Sequence, residues 1–447
     1  MGKIQPSLLM TKCLIVGGGF AGLSAACFLA DKGIKVHLLE ASPKLGGRAY
    51  SFSYKNQIDS DGFKSENVDN GQHILMGCYK NTLEFLRLIG AENNVLFQEN
   101  LKIKFIKNSG TEHNLNASKL FYPVNLLLGI LNYTAVSFKE RLSIIKLFVK
   151  LIFINPDDYN NITVDQWLNI EKQSDGIIKS LWDIIIVGTL NTTAQKASAG
   201  MFIKILKEIF FTGNKSSVVV LPKVSLSEMY CENSKSFIER NGGKVTTSEK
   251  VNELVIENGK VIKVRTAKDS YSDFDFVILA VPYHSFEKII NISDLEFKQK
   301  LEIEYSPILT AHLWLDGNPF KEKFYGLIDS KVHWLFNHGK YVTIVTSAAD
   351  EIINLKDDEL IKIICSELEK YFPIFYQNVV KEYLILKEKR ATFVPTVELI
   401  KLRNKLKFSY KNIFVAGDWS NTGLPSTIEG AVLSGRIAAD SVISNIR

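Results

Sequence analysis

The stretch from residue 12 to residue 40, KCLIVGGGFAGLSAACFLADKGIKVHLLE, constrains the fold of this chain more than any other. A short apolar run ends at Gly17-x-Gly19-x-x-Gly22, a helix-compatible stretch follows, and a second apolar run closes on Glu40. The order is therefore strand, glycine turn, helix, strand and acid, which is the pattern that binds a dinucleotide. We predict that the chain opens with a Rossmann-like fold.

Each part of this pattern has a mechanical reason. Gly17 allows the tight turn after the strand, Gly19 lets backbone N–H groups approach a pyrophosphate, and Gly22 lets the helix pack close to the strand. The helix N-terminus carries unpaired N–H groups and a partial positive charge, which favour a bound phosphate. Glu40 follows Gly22 by eighteen residues and is placed to accept hydrogen bonds from ribose hydroxyls.

The composition is that of an ordinary globular protein with a large core. At 447 residues the chain is long enough for two domains, one of them discontinuous. The net charge of +6 is spread along the chain, so we expect no nucleic-acid partner. Five cysteines without a CxxC pair and seven scattered histidines predict a reducing, cytoplasmic location and no metal site. The first eleven residues lack the pattern of a secretory signal peptide.

Two apolar stretches raise the question of a membrane. Residues 120–138 carry no charge, but proline, asparagine and glycine residues interrupt them, which argues against a membrane span. Residues 141–155 follow with one arginine and two lysines. They predict either a buried helix or a helix in the membrane interface with its lysines at the headgroups. The sequence leaves both open, so peripheral contact with the inner face of the cell membrane is one expectation.

The later motifs divide the chain into alternating segments. Residues 115–210 read as mainly helical, because they hold long apolar stretches and few turn signals. Strand-like runs follow, and Asn412-IFVAGDWS regains a buried strand near the end, before a closing helix over Ile428–Ile446.

These segments predict an α/β fold in which a discontinuous Rossmann-like domain holds an inserted substrate domain of mixed sheet and helices. The nucleotide-binding domain is expected at residues 1–114, 211–282 and 396–447. The substrate domain is expected to comprise a mainly helical, substrate- or membrane-facing region at 115–210 and a sheet at 283–395.

A second glycine turn, near the C-terminal end, indicates which dinucleotide is bound. Phe414-Val-Ala-Gly417-Asp418 places an acid after a buried strand, at the carboxyl edge where ligands bind in such sheets. In flavoproteins of this topology that acid contacts the ribityl hydroxyls. The helix beginning near Thr427 would turn its positive end toward the flavin and stabilise the reduced ring. A simple turn is the alternative, but together with the N-terminal pattern the motif indicates FAD.

Several blocks of the sequence resemble the FAD-dependent amine oxidase and phytoene desaturase superfamily. They are residues 17–40, Gly46-Gly47-Arg48, Gly417-Asp418 and EGAVLSG at 429–435. Further blocks resemble the squalene-associated branch, whose characterised members are hydroxysqualene dehydroxylases of bacterial hopanoid synthesis. These blocks are VDNGQH at 68–73, LNT at 190–192, KRATF at 389–393 and GDWSNTGLPSTIEG at 417–430. The resemblance spans the chain, although the inserted helical region offers no motif to compare.

The resemblance implies bound FAD and a set of residues that contact it. Arg48 is placed for the pyrophosphate, because its guanidinium can bind phosphate bidentately. The cofactor-binding set is Gly17, Gly19, Phe20, Ala21, Gly22, Glu40, Ala41, Gly46, Gly47, Arg48, Gly71, Gln72, Val251, Gly417, Asp418, Thr427 and Ile428.

The resemblance also implies an activity on a long, hydrophobic isoprenoid. Hydroxysqualene would lose its allylic hydroxyl as water and accept hydride from N5 of the reduced flavin, giving squalene. Such a reaction needs an acid for the leaving hydroxyl and a dry apolar tunnel, for which residues 120–211 are suited. It also needs an electron donor for the flavin, which the sequence does not identify.

Four side chains are candidates for the polar step by analogy with the family. His73 and Gln72 would approach the flavin edge, and Asp69 is a candidate acid. Arg390, near the end of a strand, would hold the flavin's pyrimidine edge or a carboxylate. Each has an ordinary alternative, which is a satisfied structural histidine, a capping aspartate or a surface ion pair.

Other proteins of this fold remain alternatives. A carotenoid desaturase of the phytoene type would run the flavin in the oxidative direction on a similar isoprenoid. Amine oxidases often attach the flavin through a cysteine near the C-terminus, and no cysteine follows Cys365, which argues against covalent attachment. Chaperones of prenylated GTPases share the fold without the flavin, but the intact Gly417-Asp418 block argues against that class.

Overall fold

A computed structural model describes residues 11–55, 65–290, 300–406 and 410–446. Residues 1–10, on which the expectation about a signal peptide rests, lie outside it. The strands in chain order are β1 (Lys12–Val16), β2 (Lys35–Leu39), β3 (Ser51–Lys55), β4 (Ser65–Asp69), β5 (Leu75–Met76), β6 (Val95–Phe97), β7 (Lys102–Lys107), β8 (Thr111–Asn116), β9 (Val219–Pro222), β10 (Lys244–Thr246), β11 (Val251–Glu257), β12 (Lys260–Thr266), β13 (Ser270–Tyr271), β14 (Phe276–Leu279), β15 (Tyr305–Leu315), β16 (Phe324–Leu327), β17 (Trp334–Asn337), β18 (Tyr341–Ser347), β19 (Val380–Phe393) and β20 (Ile413–Val415).

Helices alternate with these strands. They are α1 (Phe20–Asp31), α2 (Lys80–Leu88), α3 (Val124–Leu131), α4 (Phe138–Phe153), α5 (Val164–Ile170), α6 (Asp175–Ile177), α7 (Asp183–Leu190), α8 (Ala199–Phe211), α9 (Glu232–Arg240), α10 (Tyr283–Ile289), α11 (Asp357–Tyr371), α12 (Val397–Arg403) and α13 (Ile428–Ile446). Two π-helical turns, Ile178–Trp182 and Ser227–Cys231, run directly into α7 and α9.

A five-stranded parallel sheet in the order β10-β2-β1-β14-β20 contains strands from both ends of the chain. β1 lies at its centre and is almost entirely buried, because α1 packs on one face of the sheet, and β11 and β12 pack with α10 on the other. β20 pairs in parallel with β14, with Phe414 opposite Ile278. The prediction of an α/β fold with a discontinuous parallel sheet is therefore confirmed.

The first and last helices of this domain pack directly against each other. Gly435 of α13 lies over α1, where an added Cβ would stand 2.3 Å from both the Ala21 oxygen and Ser24 Oγ. The Ser24 hydroxyl also lies 3.4 Å from the Val432 oxygen. The two helices approach this closely because position 435 has no side chain.

A seven-stranded mixed sheet in the order β19-β15-β18-β17-β16-β7-β8 forms the second large layer. Helix α11 covers it, and Leu360, Ile364 and Leu368 share a buried apolar cluster with strand residues such as Leu313 and Ile344. The long strand β15 pairs with β18 on one side and β19 on the other.

The domain boundary predicted at residue 114 falls inside β8. β7, within the predicted segment 1–114, pairs in parallel with β16 at Phe105 and Ile106 and antiparallel with β8. The physical reason is packing, because Phe105 belongs to the helical core and Ile106 to the core under α11, on opposite faces of the strand. Residues 102–116 therefore extend the substrate sheet.

Helices α3 to α8 form a third layer with a core of its own. Trp167, Trp182 and Phe202 are fully buried at its centre, with ring centroids about 6 Å apart between neighbours. Across the parts of the chain that the structure describes, no helix combines the length and apolar character needed to cross a bilayer. The mainly helical character predicted for residues 115–210 agrees with these elements.

A glycine-to-alanine pair tests the contact between α1 and α13. We expect Gly435→Ala to lower the free energy of unfolding by about 2 kcal/mol, because its Cβ would overlap the backbone of α1. Gly188→Ala in α7 is the matched control, since its Cβ would meet Trp334 at an ordinary 3.8 Å. Urea unfolding followed by tryptophan fluorescence measures both variants. Equal midpoints would contradict the packing described here.

Candidate active site

The glycine turn after β1 forms a cradle with no room for a side chain at Gly17 or Gly22. An added Cβ on Gly17, whose φ is +110°, would lie 2.3 Å from the Ala280 oxygen, and one on Gly22 would lie 1.9 Å from the Gly17 oxygen. A Cβ on Gly19 would face the Gly47 Cα at 3.6 Å, so two glycine backbones stand opposite each other. No side chain caps the N-terminus of α1, which leaves its N–H groups available for an anion.

Two other residues of the predicted cofactor set begin α1. Phe20 and Ala21 bury their side chains, so their backbone N–H groups are the parts suited to a phosphate. Phe20 stacks on Tyr230 with ring centroids 3.7 Å apart. Ala41, by contrast, is exposed beyond β2, and Val251 is buried at the start of β11, paired with Thr266.

Glu40 holds the glycine turn through both carboxylate oxygens. Oε2 accepts a hydrogen bond from the Gly18 N–H at 2.5 Å, and Oε1 accepts one from the Ser42 N–H at 2.7 Å. A carboxylate offers about four acceptor positions, so two of them are left for further donors. Contact between Glu40 and ribose hydroxyls stays a prediction, but the carboxylate stands beside the cradle where such a contact requires it.

Arg48 joins three distant segments of the chain. Its guanidinium lies 2.6 Å from Asp418 Oδ1 and also donates to the Ala391 oxygen at 2.9 Å. Its own backbone oxygen accepts a hydrogen bond from Asn70 Nδ2 at 2.9 Å. The glycine-arginine loop, the DNGQH block, the KRATF block and the C-terminal turn therefore meet at one residue, Arg48.

The Arg48–Asp418 pair keeps a buried carboxylate charged. Burial alone would raise the pKa of Asp418, but the charge of Arg48 and hydrogen bonds from Arg48 and Ser426 outweigh it and hold that pKa below its ordinary value. The side chain of Asp418 is 6% exposed and that of Arg48 35% exposed. The pair thus places a fixed negative charge at the carboxyl edge of the sheet.

Arg403 is a functional candidate that the sequence reasoning missed. It is fully buried and donates to the backbone oxygens of Asp418, Trp419, Ser420 and Leu424. Burial lowers its pKa to about 10, although nearby Asp418 opposes this shift. The guanidinium therefore clamps the whole turn that carries Asp418. Nothing in the local sequence of α12 signals this contact.

Glu429 fixes the start of α13, which was predicted to face the flavin. Its buried carboxylate accepts hydrogen bonds from the N–H groups of Asn81 and Thr82 and from both of their side chains. It therefore caps α2 from a distance. Thr427 Oγ1 accepts from the Gly430 N–H at 3.1 Å, and Ile428 is the first residue of α13. In the sequence, the Glu429-Gly430 pair of the C-terminal block is the feature that could have indicated this role of Glu429.

A second missed residue, Tyr230, holds the loop before Arg48. Its hydroxyl is buried and lies 2.8 Å from the Gly46 oxygen and 2.7 Å from the Ala49 oxygen. The Gly46 N–H in turn donates to the Gly18 oxygen at 2.8 Å. The loop is thereby fixed between the glycine turn and the π-helical turn before α9.

In the DNGQH block, the Asp69 carboxylate already has partners. Its Oδ1 accepts from Ser51 Oγ at 2.7 Å and from the Leu226 N–H at 3.0 Å. Burial raises the pKa of Asp69, and these two hydrogen bonds oppose the shift. Its backbone oxygen lies 3.0 Å from Nε2 of buried His312. The structure thus gives Asp69 a cap-like role and leaves its service as an acid a prediction.

Gln72 and His73 follow on the same loop, both half-buried. Burial lowers the pKa of His73 to about 4, so the imidazole is neutral at neutral pH. A Cβ on Gly71 would lie 3.3 Å from Thr310 Oγ1 and 4.0 Å from His73 Nε2, which places this ring near strand β15. His73 therefore lies where the substrate sheet meets the nucleotide-binding domain.

Arg390 is exposed on β19, next to Ala391, the residue to which Arg48 donates. Its backbone N–H donates to the Glu388 carboxylate. Two residues after Arg390, Thr392 Oγ1 accepts a hydrogen bond from Asn191 Nδ2 at 2.8 Å. The LNT and KRATF blocks are therefore in direct contact, and they support the strand on which Arg390 lies.

The structure brings most of the predicted cofactor residues to one edge of the parallel sheet, and the residues there fit FAD. The glycine cradle and uncapped helix suit the pyrophosphate, Glu40 suits the ribose, and Asp418 with the N-terminus of α13 suits the ribityl and ring end. Within the described ranges, no group of three or more histidine, cysteine, aspartate or glutamate side chains is arranged for a metal ion.

Comparison with known proteins supports the same cofactor. A family model described as flavin containing amine oxidoreductase matches residues 20–443. The chain is 26% identical over 435 residues to a hydroxysqualene dehydroxylase of Zymomonas mobilis, covering 96% of this chain and 99% of that protein. It is 24% identical to a 15-cis-phytoene desaturase of Capsicum annuum, over 97% of this chain and 78% of the other.

Solved structures share the fold. An oxidoreductase from Methanosarcina mazei superposes with a TM-score of 0.72 at 17% identity, over 97% of this chain and all of the other. At that identity the likeness concerns the fold alone.

The Arg48–Asp418 pair predicts a change in acid stability. With Arg48 present, Asp418 stabilises the fold above its unfolded-state pKa, and the effect is lost as pH falls through the lower folded-state pKa. In Arg48→Met, burial raises that pKa instead, so the charged carboxylate destabilises the fold at neutral pH and its protonation relieves this penalty as pH falls. We expect the loss in free energy of unfolding of Arg48→Met relative to the wild type, measured by urea unfolding followed by circular dichroism, to be largest at neutral pH and to shrink as pH falls below about 4. Arg87→Met, an exposed arginine on α2, is the control, and an equal response of both variants would contradict the pairing.

Glu40 offers a test of the cradle. Glu40→Gln replaces a charged acceptor of two backbone N–H groups by a neutral amide, so we expect FAD to be retained roughly tenfold less tightly. Flavin fluorescence after dilution or dialysis measures the released fraction. Glu92→Gln, in an exposed turn, is the matched control. Unchanged retention in Glu40→Gln would remove this carboxylate from the site.

Proposed function

We propose that this chain, which belongs to the flavin containing amine oxidoreductase family and is an FAD-dependent oxidoreductase, reduces hydroxysqualene to squalene. The observation that carries the proposal is the end-to-end match to proteins named hydroxysqualene dehydroxylase. Those matches cover 96% of this chain and 98–99% of the relatives. The relatives named desaturases are 22–24% identical to this chain, against 26–27% for those named hydroxysqualene dehydroxylase, which supports the first assignment.

The apolar layer next to the cofactor edge supports a long hydrophobic substrate. One contiguous cluster runs from α4 through α8 and includes the partly buried side chains of Met76 and Tyr79. Tyr79 also packs on the core of the nucleotide-binding domain, as does Ile428 at the start of α13. The helical core therefore reaches the end of the site where the flavin ring is expected. An apolar surface in this position suits an isoprenoid and excludes water from a cationic intermediate.

The chemistry balances with the cofactor in its reduced state. When bound, reduced FAD supplies the hydride that replaces the hydroxyl, so that a C–O bond is exchanged for a C–H bond, the hydroxyl leaves as water with one added proton, and the flavin ends oxidised. The protein must position the allylic alcohol and deliver that proton.

His73 is proposed to position the hydroxyl as a neutral hydrogen-bonding group. With its pKa lowered to about 4 by burial, the ring holds no proton to spare at neutral pH. A role as a hydrogen-bond partner fits this state better than a role as general acid. The hydroxyl would then be oriented by the loop that also carries Asp69 and contacts Arg48 through Asn70.

The reaction itself is tested by product analysis. We expect the FAD-loaded protein, reduced under anaerobic conditions, to convert hydroxysqualene to squalene, as detected by gas chromatography with mass spectrometry. Parallel incubations supply phytoene or a primary amine to the oxidised protein. Conversion of phytoene or of the amine without any squalene from the first incubation would overturn the proposal in favour of the corresponding relative.

His73 variants test the positioning role. His73→Ala should retain FAD and lower the turnover roughly tenfold or more, because it removes a hydrogen bond to the substrate. His73→Gln keeps a neutral hydrogen-bonding group and should recover part of the activity. The pH profile of kcat/KM in the wild type should show no step near pH 6.5 from this ring, since its folded-state pKa is about 4. Full activity in His73→Ala would exclude the role.

A further inference from the structure

Helix α4 carries apolar side chains on two separate faces. Its inward face, at Ile144, Leu147, Phe148 and Leu151, is buried in the helical core. A second row follows the spacing of three and four residues that lines one side of a helix. This outer row consists of Phe138, Leu142, Ile145, Val149 and Ile152, and Phe153 adjoins it. Packing on the core requires one apolar face, so the outer row needs a separate explanation.

The outer row is strongly exposed at both ends of the helix. The exposed fraction is 63% for Phe138 and 83% for Phe153, and Leu142, Val149 and Ile152 are exposed between them. Two more exposed apolar residues, Leu120 and Phe121, precede α3 on the same layer. They are tied to α4 through Tyr122, whose hydroxyl donates to the Phe210 oxygen, and Phe210 packs edge-on against Phe148 at 5.1 Å.

Cations flank this row. Lys139, Lys146 and Lys150 fall on one side of it at helical spacing, and all three are exposed. Lys150 pairs with Glu171, but across the ranges that the structure describes no carboxylate lies within ion-pair distance of Lys139 or Lys146. The outward surface of α4 is therefore apolar with a positive border.

The acids of this region lie elsewhere. Glu140 of α4 is held by Ser137 and Ser174, on the side of the helix that packs toward α6. Asp157 and Asp158 come after Pro156, beyond the end of α4. Within the described ranges, the positive border is thus neutralised at Lys150, by Glu171, but not at Lys139 or Lys146.

We propose that α4 docks on an anionic lipid bilayer, with the outer row in the headgroup–acyl boundary and the lysines at the headgroups. A second copy of the chain fits this surface less well, because pairing two such faces would bring their lysine borders together without opposing acids. An anionic lipid surface supplies an apolar partner for the outer row and negatively charged partners for the lysines.

This surface has a consequence for the reaction, which rests on the proposed function. The inward face of α4 belongs to the apolar cluster that reaches Tyr79 at the cofactor edge. A substrate dissolved in the bilayer would meet this layer without crossing water. The docking itself does not depend on the reaction, because it can be measured with no substrate present.

Vesicle binding of the purified, FAD-loaded protein tests the proposal. Sedimentation with phosphatidylcholine vesicles is compared with sedimentation with vesicles that also contain phosphatidylglycerol. We expect binding to the anionic vesicles, weakened roughly tenfold or more by the double change Phe138→Ser and Phe153→Ser. Ile374→Ser is the control, because Ile374 is 64% exposed in the turn after α11 and should leave binding unchanged.

Two double variants test how much the lysines contribute to vesicle binding. Lys139→Glu with Lys146→Glu should abolish the preference for anionic vesicles, whereas Lys235→Glu with Lys362→Glu, exposed on α9 and α11, changes the net charge equally and should not. Retained flavin absorbance shows that each variant is folded.

Three results would overturn the proposal. The wild type could remain unbound to both kinds of vesicle, or the control changes could weaken binding as much as the changes on α4. Light scattering in solution could instead show a dimer that Phe138→Ser with Phe153→Ser converts to a monomer, which would assign the surface to self-association. None of these results would affect the assay for squalene.

Discussion

The ion pair between Arg48 and Asp418 is the interaction on which the site depends. It connects residues 370 positions apart, and the hydrogen bonds of Arg48 also reach the strand β19 and the DNGQH block. Since Asp418 is 6% exposed, removing its partner would leave a buried charge, a change that typically costs about 3–5 kcal/mol. The pair therefore links the architecture of the parallel sheet directly to the charge at its carboxyl edge.

Several other contacts stabilise the segments that carry Arg48 and Asp418. Arg403 clamps the turn behind Asp418, Tyr230 holds the loop before Arg48, and Glu429 ties α2 to the start of α13. All three side chains are buried; Arg403 and Tyr230 bond to backbone oxygens, and Glu429 bonds to both backbone and side-chain groups of Asn81 and Thr82. Together they explain how an edge made of loops can keep the fixed geometry that binding a dinucleotide requires.

Local sequence patterns predicted much of this arrangement. The glycine spacing and the alternation of apolar runs indicated β1, α1 and β2, and the closing helix over Ile428–Ile446 is observed with those bounds. Such features depend on neighbouring residues, so they can be read from the sequence. The pairing of β7 with β16 could not be read in this way, because the partner strand lies more than two hundred residues later and no local pattern in β7 indicates it.

The same limit applies to the site residues. Arg403 and Tyr230 act through contacts with segments far away in the chain, and their own surroundings in the sequence resemble ordinary helices. Arg390 was selected for its place in the KRATF block, but it is the neighbouring Ala391 and Thr392 that contact Arg48 and Asn191. The sequence thus predicts the residues of the cofactor cradle better than the residues that act on the substrate hydroxyl.

A double-mutant cycle on Arg48 and Asp418 tests the central claim most directly. Urea unfolding of the wild type, Arg48→Met, Asp418→Asn and the double variant, all freed of FAD, gives their coupling free energy, and FAD retention is measured separately. The exposed pair Lys12–Asp273 serves as the reference, for which a coupling below about 1 kcal/mol is expected. We predict a coupling of about 2 kcal/mol or more for Arg48–Asp418, together with loss of FAD from each single variant. Additive effects within about 0.5 kcal/mol, with FAD retained, would contradict the account.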